Sequence, residues 1–255
     1  MQKLVSIIMP CFNSEKFISE AVNSVQKQTF KNWELIIIDD FSNDYSTEII
    51  NKFTIEDKRI KLYKLHENSG AGVARNFGLS KANGQFIAFL DADDLWKSEK
   101  LQTQLAFMHE NNLPFTFSFY ETMNENGDLS GKIITAPTHL KYIHLFFCNF
   151  VGNLTGIYST EYFGKIPINF SKKRQDWMLW LTILKQIKVA QPVLESLAYY
   201  RIRESSLSSS KMNLLKHNYK VYRYFHQLNL LFASLCMVGF LFTQIFIKRF
   251  FVKNA

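Results

Sequence analysis

Three aspartates close an apolar run. Residues 85–94 read QFIAFLDADD, with Asp91, Asp93 and Asp94 at the end. Alternate carboxylates leaving a strand can converge on one divalent cation, and hard ions such as magnesium or manganese prefer oxygen ligands. Such an ion would bridge and neutralise phosphate oxygens on a leaving group. A DxD triplet by itself is equally a solvated acidic turn capping the helix expected near residue 98. Its position after FIAFL, in a sheet with another acid at a strand end, favours the chemical reading. That other acid belongs to the pair Asp39-Asp40, which ends WELIIIDD. One carboxylate there can accept hydrogen bonds from a base or a ribose, and the other can serve the loop. Asp39 is the preferred ligand contact and Asp40 the preferred structural residue.

Gly70, Gly72, Arg75 and Asn76 form a third group. Glycines allow tight turning and close phosphate approach. Arg75 brings five donors and a fixed charge, suited to a diphosphate or to organising the nearby carboxylates. The spacing is not a dinucleotide fingerprint, because Arg75 stands where Gly is required and the turn follows the third strand. No GxxxxGK[ST] exists, which disfavours a P-loop ATPase. Asp176, among Arg174, Gln175 and Trp177, opens an apolar helix. A helix N-terminus favours its charged form. A base taking a proton from a sugar hydroxyl needs such a carboxylate, and simple helix capping explains it equally well. Tyr200, Arg201, Arg203, Ser206 and Ser208 can hold phosphates, although a polar linker is the favoured reading from these residues alone. Trp177 and Trp180 suit an acceptor cleft or core packing. No histidine cluster, HExxH or GxSxG occurs.

The elements that position these residues follow from hydrophobic patterning. Strands are expected at 4–9, 33–39, 59–65 and 85–94. Helices are expected at 14–28, 45–56, 69–82 and 98–111. Strands alternating with helices imply crossover connections and a mostly parallel sheet covered on both faces. Ligands on such sheets gather beyond the carboxyl ends of the strands, so Asp39 and Asp91 share one crevice. The second half is less regular: strands at 114–123, 132–136 and 153–159, a turn at 125–128 and a helix at 175–187.

The 255 residues carry a net charge of +8, which first suggests nucleic acid or an anionic membrane. The charge is uneven. Of 30 basic side chains 7 follow Glu204, and none of the 22 acidic ones does. The body is nearly neutral and the tail strongly basic, so nucleic-acid binding is the weakest reading. Within the tail, residues 227–247 form an uncharged stretch of 21 residues, long enough to span a bilayer or to lie on it. Basic residues flank it on both sides, so the charge count gives no orientation. The N-terminal run is too short for a signal peptide, and the three cysteines form no disulfide framework. Both features suit a body in a reducing cytoplasm, and the basic, apolar tail suits contact with anionic lipid.

In order, VSIIMPCFN, ELIIIDDFSND, ENSGAGVARNFGLSKANGQFIAFLDADD, RQDWMLWLTIL and YRIRESSLS resemble the family 2 glycosyltransferases with the GT-A fold. The resemblance covers residues 4–208, and its first three segments are the specific ones. It implies an α/β GT-A fold with a Rossmann-like, mostly parallel sheet. Residues 1–111 would form a nucleotide-sugar-binding half and 112–208 an acceptor and catalytic half, with 209–255 as a membrane-associated tail. It places Pro10, Asn13, Asp39, Arg75, Asp91, Asp93 and Arg203 on a nucleotide-sugar donor. It also places Asp93 on Mn2+ or Mg2+ and makes Asp176 the catalytic base. The activity implied is inverting sugar transfer to a glycan or lipid-linked acceptor in lipopolysaccharide, capsule or related surface-glycan synthesis, with UDP as the preferred nucleotide. Two positions depart from the pattern: Gln175 replaces the usual Glu, and Arg203 stands where many members carry His. A sugar-phosphate nucleotidyltransferase lacks support, since PCFNSE replaces the basic triphosphate loop after the first strand. A non-catalytic membrane adaptor would need no metal-dependent donor binding.

Overall fold

The structure, a computed structural model, describes residues 3–203 and 211–254. Ser206 and Ser208 lie outside the described residues. The first half runs β1 (Val5–Cys11), α1 (Ile18–Gln26), β2 (Trp33–Asp39), α2 (Ser46–Glu56), β3 (Ile60–Lys64), α3 (Ala71–Lys81) and β4 (Phe86–Phe89). These four strands are parallel, in the spatial order β4-β1-β2-β3. Their runs are apolar throughout because both faces are buried. Val5, Ile7 and Met9 of β1, with Leu35 and Ile37 of β2, pack on one face with Ile18 and Val22 of α1. Ile8, Ile36 and Ile38 point to the opposite core with Ala74 and Leu79 of α3. Register aligns the strand ends, since Cys11 lies beside Asp39 and Ile8 beside Phe89.

The second half runs β5 (Leu95–Trp96), α4 (Lys100–Glu110), β6 (Phe115–Met123), β7 (Leu129–Ile134), β8 (Leu140–Lys141) and α5 (Tyr142–Phe147). It continues through β9 (Ile157–Ser159), α6 (Thr160–Phe163), α7 (Gln175–Ile187) and β10 (Val189–Arg201). Here the sheet turns mixed. Strand β9 is antiparallel to both β4 and β6, and β10 is parallel to β6. The expected strand at 85–94 stops at Phe89, because a turn closes the aspartates with Asp94 N–H donating to Asp91 O at 3.1 Å. Of the strand expected at 153–159, residues Asn153–Thr155 form a 3-10 turn instead. There the Thr155 amide and hydroxyl both bond Gly152 O, a local alternative to the ladder.

The C-terminal segment comprises α8 (Lys211–Lys220), a short π-helical turn, α9 (Leu230–Phe242) and β11 (Val252–Asn254). Helix α9 continues through π and 3-10 turns to Phe251. Strand β11 then pairs antiparallel with β7, extending the central sheet at its edge.

Candidate functional site

The aligned strand ends open into a cleft of about 660 Å³. Its walls include Pro10, Arg75, Asp91, Asp93, Asp176 and Arg203. Residues far apart in sequence, including Asp91 and Asp176, therefore face one space.

The two neighbouring aspartates at the end of β2 have separate roles. Asp40 lines the cleft, and its oxygens accept the Ser69 and Gly70 amides, both at 2.8 Å. It thus fixes the entry to α3. Asp39 is 2% exposed and accepts the Ser42 amide only at 3.3 and 3.4 Å, leaving acceptor capacity unused. Its loop is tied to Asn13, whose amide donates to Ser42 Oγ and whose Oδ1 accepts the Asn43 amide. Neither Asn13 nor Asp39 is among the residues lining the cleft: Asn13 ties the loop after β1 to the loop after β2, and Asp39 is buried at the base of that loop.

Arg75 is the hub between the halves. It is 9% exposed, with Nη1 donating to Gln175 Oε1 at 2.5 Å and Nη2 to Asp91 Oδ1 at 2.6 Å. Its Nε is buried without a partner. Gln175 thus uses its carbonyl oxygen to hold the guanidinium, which explains how the chain tolerates an amide where an acid was expected. Gly72 makes this possible: a Cβ there would meet Gln175 Nε2 at 2.6 Å. Gly72→Ala should displace the Gln175 amide and release Arg75. The expected result is about tenfold weaker donor binding in titration calorimetry, from the loss of roughly one charged hydrogen bond, with little change in melting temperature. Asn76, from the same segment, is structural, since its side chain exchanges two hydrogen bonds with the Ile168 backbone at 2.8 Å.

The aspartate turn separates its carboxylates by function. Asp91 accepts Arg75 and also Asn153 Nδ2 at 3.1 Å. Asp93 pairs with Arg203 Nε at 2.9 Å. Burial, and then repulsion from Asp91, raises the Asp93 pKa. Asp94 is fully enclosed and accepts the Arg201 amide at 2.9 Å, and burial holds its pKa well above the usual range. Arg201 is a structural clamp and replaces the linker reading of its segment. It is 2% exposed, and its guanidinium donates to Asp93 O, Glu125 O and Glu20 Oε2.

Among the described residues no group of three or more His, Cys, Asp or Glu side chains is arranged to hold a metal. Asp91 and Asp93 still suit a hard cation, because such ions are commonly held by one or two carboxylates plus substrate phosphates. Burial, and then the Asp91 charge, disfavours the ionised form of Asp93, and a bound cation would favour it.

Asp176 lies in the first turn of α7 and does not cap it. The N-cap residue is Arg174, in the left-handed region at φ 67°, and no side-chain cap bond is present. The Asp176 carboxylate instead reaches the cleft and accepts Asn149 Nδ2 at 2.8 Å. The apolar length of α7 holds this turn in place. Trp177 and Trp180 are both 0% exposed, so they are core residues and do not line the cleft. Trp177 Nε1 donates to Leu145 O at 2.6 Å, and Trp180 stacks on Phe115. Asn149 and Asn153 carry no sequence signal of their own, since single asparagines in irregular segments have no diagnostic spacing. Lys172, Lys173 and Lys248 also line the cleft.

The family model described as Glycosyl transferase family 2 matches residues 6–155, a range that holds Asp39, Arg75, Asp91 and Asp93. TuaG of Bacillus subtilis, named as a teichuronic acid biosynthesis glycosyltransferase, is 39% identical over 237 residues, covering 93% of this chain and 94% of that protein. WfgD of Escherichia coli, named as a UDP-Glc:alpha-D-GlcNAc-diphosphoundecaprenol beta-1,3-glucosyltransferase, is 39% identical over 219 residues, covering 86% of this chain and 85% of that protein. Among solved structures, S. aureus TarS 1-349 in complex with UDP-GlcNAc matches with a TM-score of 0.72 at 24% identity, over 94% of this chain and 73% of that one. The mannosyltransferase PcManGT from Pyrobaculum calidifontis, in complex with GDP-Man and Mn2+, matches with a TM-score of 0.68 at 12% identity, over 96% of this chain and 71% of that one. At these identities the two structures establish a shared fold.

Proposed function

The chain belongs to glycosyl transferase family 2, and from that premise we propose that it moves a sugar from a nucleotide-sugar donor to a hydroxyl of a lipid-linked glycan, inverting the anomeric carbon. The observation that carries this reading is the shared cleft, which Asp91, Asp93 and Asp176 all line. A UDP-sugar is the preferred donor, supported by the UDP-Glc in the name of WfgD.

In this reading Asp39 accepts a hydrogen bond from the base, which requires the Asn13–Ser42 contact over this buried carboxylate to part when donor binds. Pro10 and Asn13 border the nucleotide. Asp91 and Asp93 would hold the ribose and diphosphate, and Asp93 would be the ligand of a Mn2+ or Mg2+ ion. When bound, that ion supplies Lewis-acid neutralisation of charge on the departing diphosphate. Arg75 lies beside Asp91 and stabilises the same developing charge. Arg203, which lines the cleft paired with Asp93, would turn its guanidinium to the diphosphate when donor binds. The first turn of α3, where Gly70 and Ala71 line the cleft, adds a positive helix terminus.

Asp176 removes the proton from the acceptor hydroxyl. Asn149 Nδ2 holds one carboxylate oxygen, which orients the other for the acceptor. The acceptor oxygen attacks the anomeric carbon opposite the diphosphate, which leaves as the new glycosidic bond forms. The site of action is the cytoplasmic face of the bacterial cell membrane, in contact with anionic lipid. That location is supported by the lipid-linked acceptor in the name of WfgD and by the basic, apolar C-terminal segment. A panel of labelled nucleotide sugars with extracted membrane lipids as acceptor tests the reading. Label should move to lipid with one donor, and no transfer with any donor would reject it.

A further inference from the structure

We infer that the apolar helix Leu230–Phe251 lies flat in one leaflet of an anionic bilayer, beside the body of the protein, and does not cross it. The inference rests on the proposed membrane location and adds the geometry of attachment. With 22 residues, the helix is long and apolar enough to cross a membrane by length and composition. At 1.5 Å per residue it measures about 33 Å.

Both of its ends are tied to the same folded body. Before it, Asn218 Oδ1 accepts Arg174 Nε at 2.6 Å and Tyr222 Oη donates to Phe146 O at 2.8 Å. At its end, Phe251 O accepts the Thr135 amide at 2.8 Å, and Val252–Asn254 then pair with β7. A spanning helix would place these two anchors on opposite sides of the bilayer. The flank of the helix is also packed on the body along its length. Ala233 is buried, Phe240 meets Trp177 at a ring distance of 5.7 Å, and Gln244 Nε2 donates to Cys148 Sγ at 3.2 Å. Gly239 permits this closeness, since a Cβ there would meet Phe147 at 2.7 Å.

The other flank is bare. Leu231, Leu235, Val238, Phe242, Ile245 and Phe246 are all exposed, and only 17% of the apolar window is buried. The helix is apolar all round because one side meets protein and the other side meets lipid. Charge identifies the occupant as a bilayer with anionic headgroups. Lys216, Lys220 and Arg223 precede the helix, Lys248, Arg249 and Lys253 follow its apolar part, and no acid occurs after Glu204. Lys248 also lines the cleft that holds Asp176. A flat helix would therefore bring the cleft mouth to the headgroup layer, where a lipid-linked acceptor resides.

The test uses the full chain with Cys236→Ser and one added cysteine at Leu231, Val238 or Ile245, each carrying an environment-sensitive fluorophore. Cys11 and Cys148 are buried and stay unlabelled. Vesicles of phosphatidylcholine with phosphatidylglycerol carry quenchers at shallow or deep acyl positions. Equal, shallow quenching at all three sites is the expected result. Deep quenching at Val238 flanked by shallow quenching at the other two would overturn the inference in favour of a span. No quenching at any site would overturn it in favour of a protein partner, such as a second copy. A second variant pairs Ile134→Cys with Val252→Cys, which face each other across β7 and β11. Its disulfide should form and leave vesicle binding unchanged, whereas failure to form or lost binding counts against the inference. Leu235→Glu with Phe242→Glu should lower vesicle binding at least about tenfold. Unchanged binding would again overturn it. None of these readouts needs donor or acceptor, so their failure leaves the transferase reading standing. Absence of sugar transfer likewise leaves this inference standing.

Discussion

Asp176→Asn is expected to lower sugar transfer by about 10³-fold while leaving donor affinity within roughly twofold, the size expected when a general base is removed. The substitution keeps shape and polarity. Asn149 Nδ2 now donates to Asp176 Oδ2 at 2.8 Å, and the Asn side chain can still offer it an oxygen. The first turn of α7 should hold, because Trp177 and Trp180 anchor it in the core. What the variant lacks is a group able to take the acceptor proton. Donor binding by calorimetry, read beside single-turnover transfer, separates the two effects. Turnover at the wild-type rate would remove Asp176 from the base role. A large fall in donor affinity would instead place it among the binding residues.

Asp93→Asn should have the second-largest effect. We expect about 10²-fold weaker donor binding in the presence of manganese and almost no response of that binding to the metal. The wild-type protein should bind donor more tightly with manganese than without it. The backbone role of residue 93 survives the change, since Arg201 Nε donates to its carbonyl and not to its carboxylate. The loss thus falls on the metal, the diphosphate and the Arg203 ion pair. Proton competition adds a pH test. Burial and the neighbouring Asp91 raise the Asp93 pKa, so its carboxyl keeps a proton to higher pH than an ordinary aspartate. Metal-supported donor binding should accordingly weaken as pH falls, starting above the usual aspartate range, and Asp93→Asn should abolish that dependence. Metal-enhanced donor binding in Asp93→Asn equal to wild type would assign the ion elsewhere.

The parallel half of the sheet was the more legible part of the sequence. LVSIIM and WELIIID are uninterrupted apolar runs because both sheet faces are covered, and acids at strand ends mark the crevice. The α7 helix was equally clear, with observed bounds Gln175–Ile187. Local chemistry blurred other elements: Thr155 turned back on Gly152, and the aspartate turn ended β4 at Phe89. The partners of the site residues were not legible. Asn149, Asn153 and Arg201 acquire their roles only through contacts between distant segments, such as Arg201 with Glu20. The same holds for β11. Val252, Lys253 and Asn254 show no strong strand pattern, and their pairing with β7 exists only because α9 runs back along the body. The charge asymmetry pointed to a membrane surface, while the geometry of attachment needed the tertiary structure.

The central claim is inverting transfer at a cleft where one wall holds the nucleotide sugar and Asp176 activates the acceptor. Its most direct test is the configuration of the new linkage, read by nuclear magnetic resonance on product made from an α-linked nucleotide sugar. The account predicts a β-linked product from the wild-type protein. A product that retains the α configuration would contradict the single displacement on which the roles of Asp176, Asp91 and Asp93 depend.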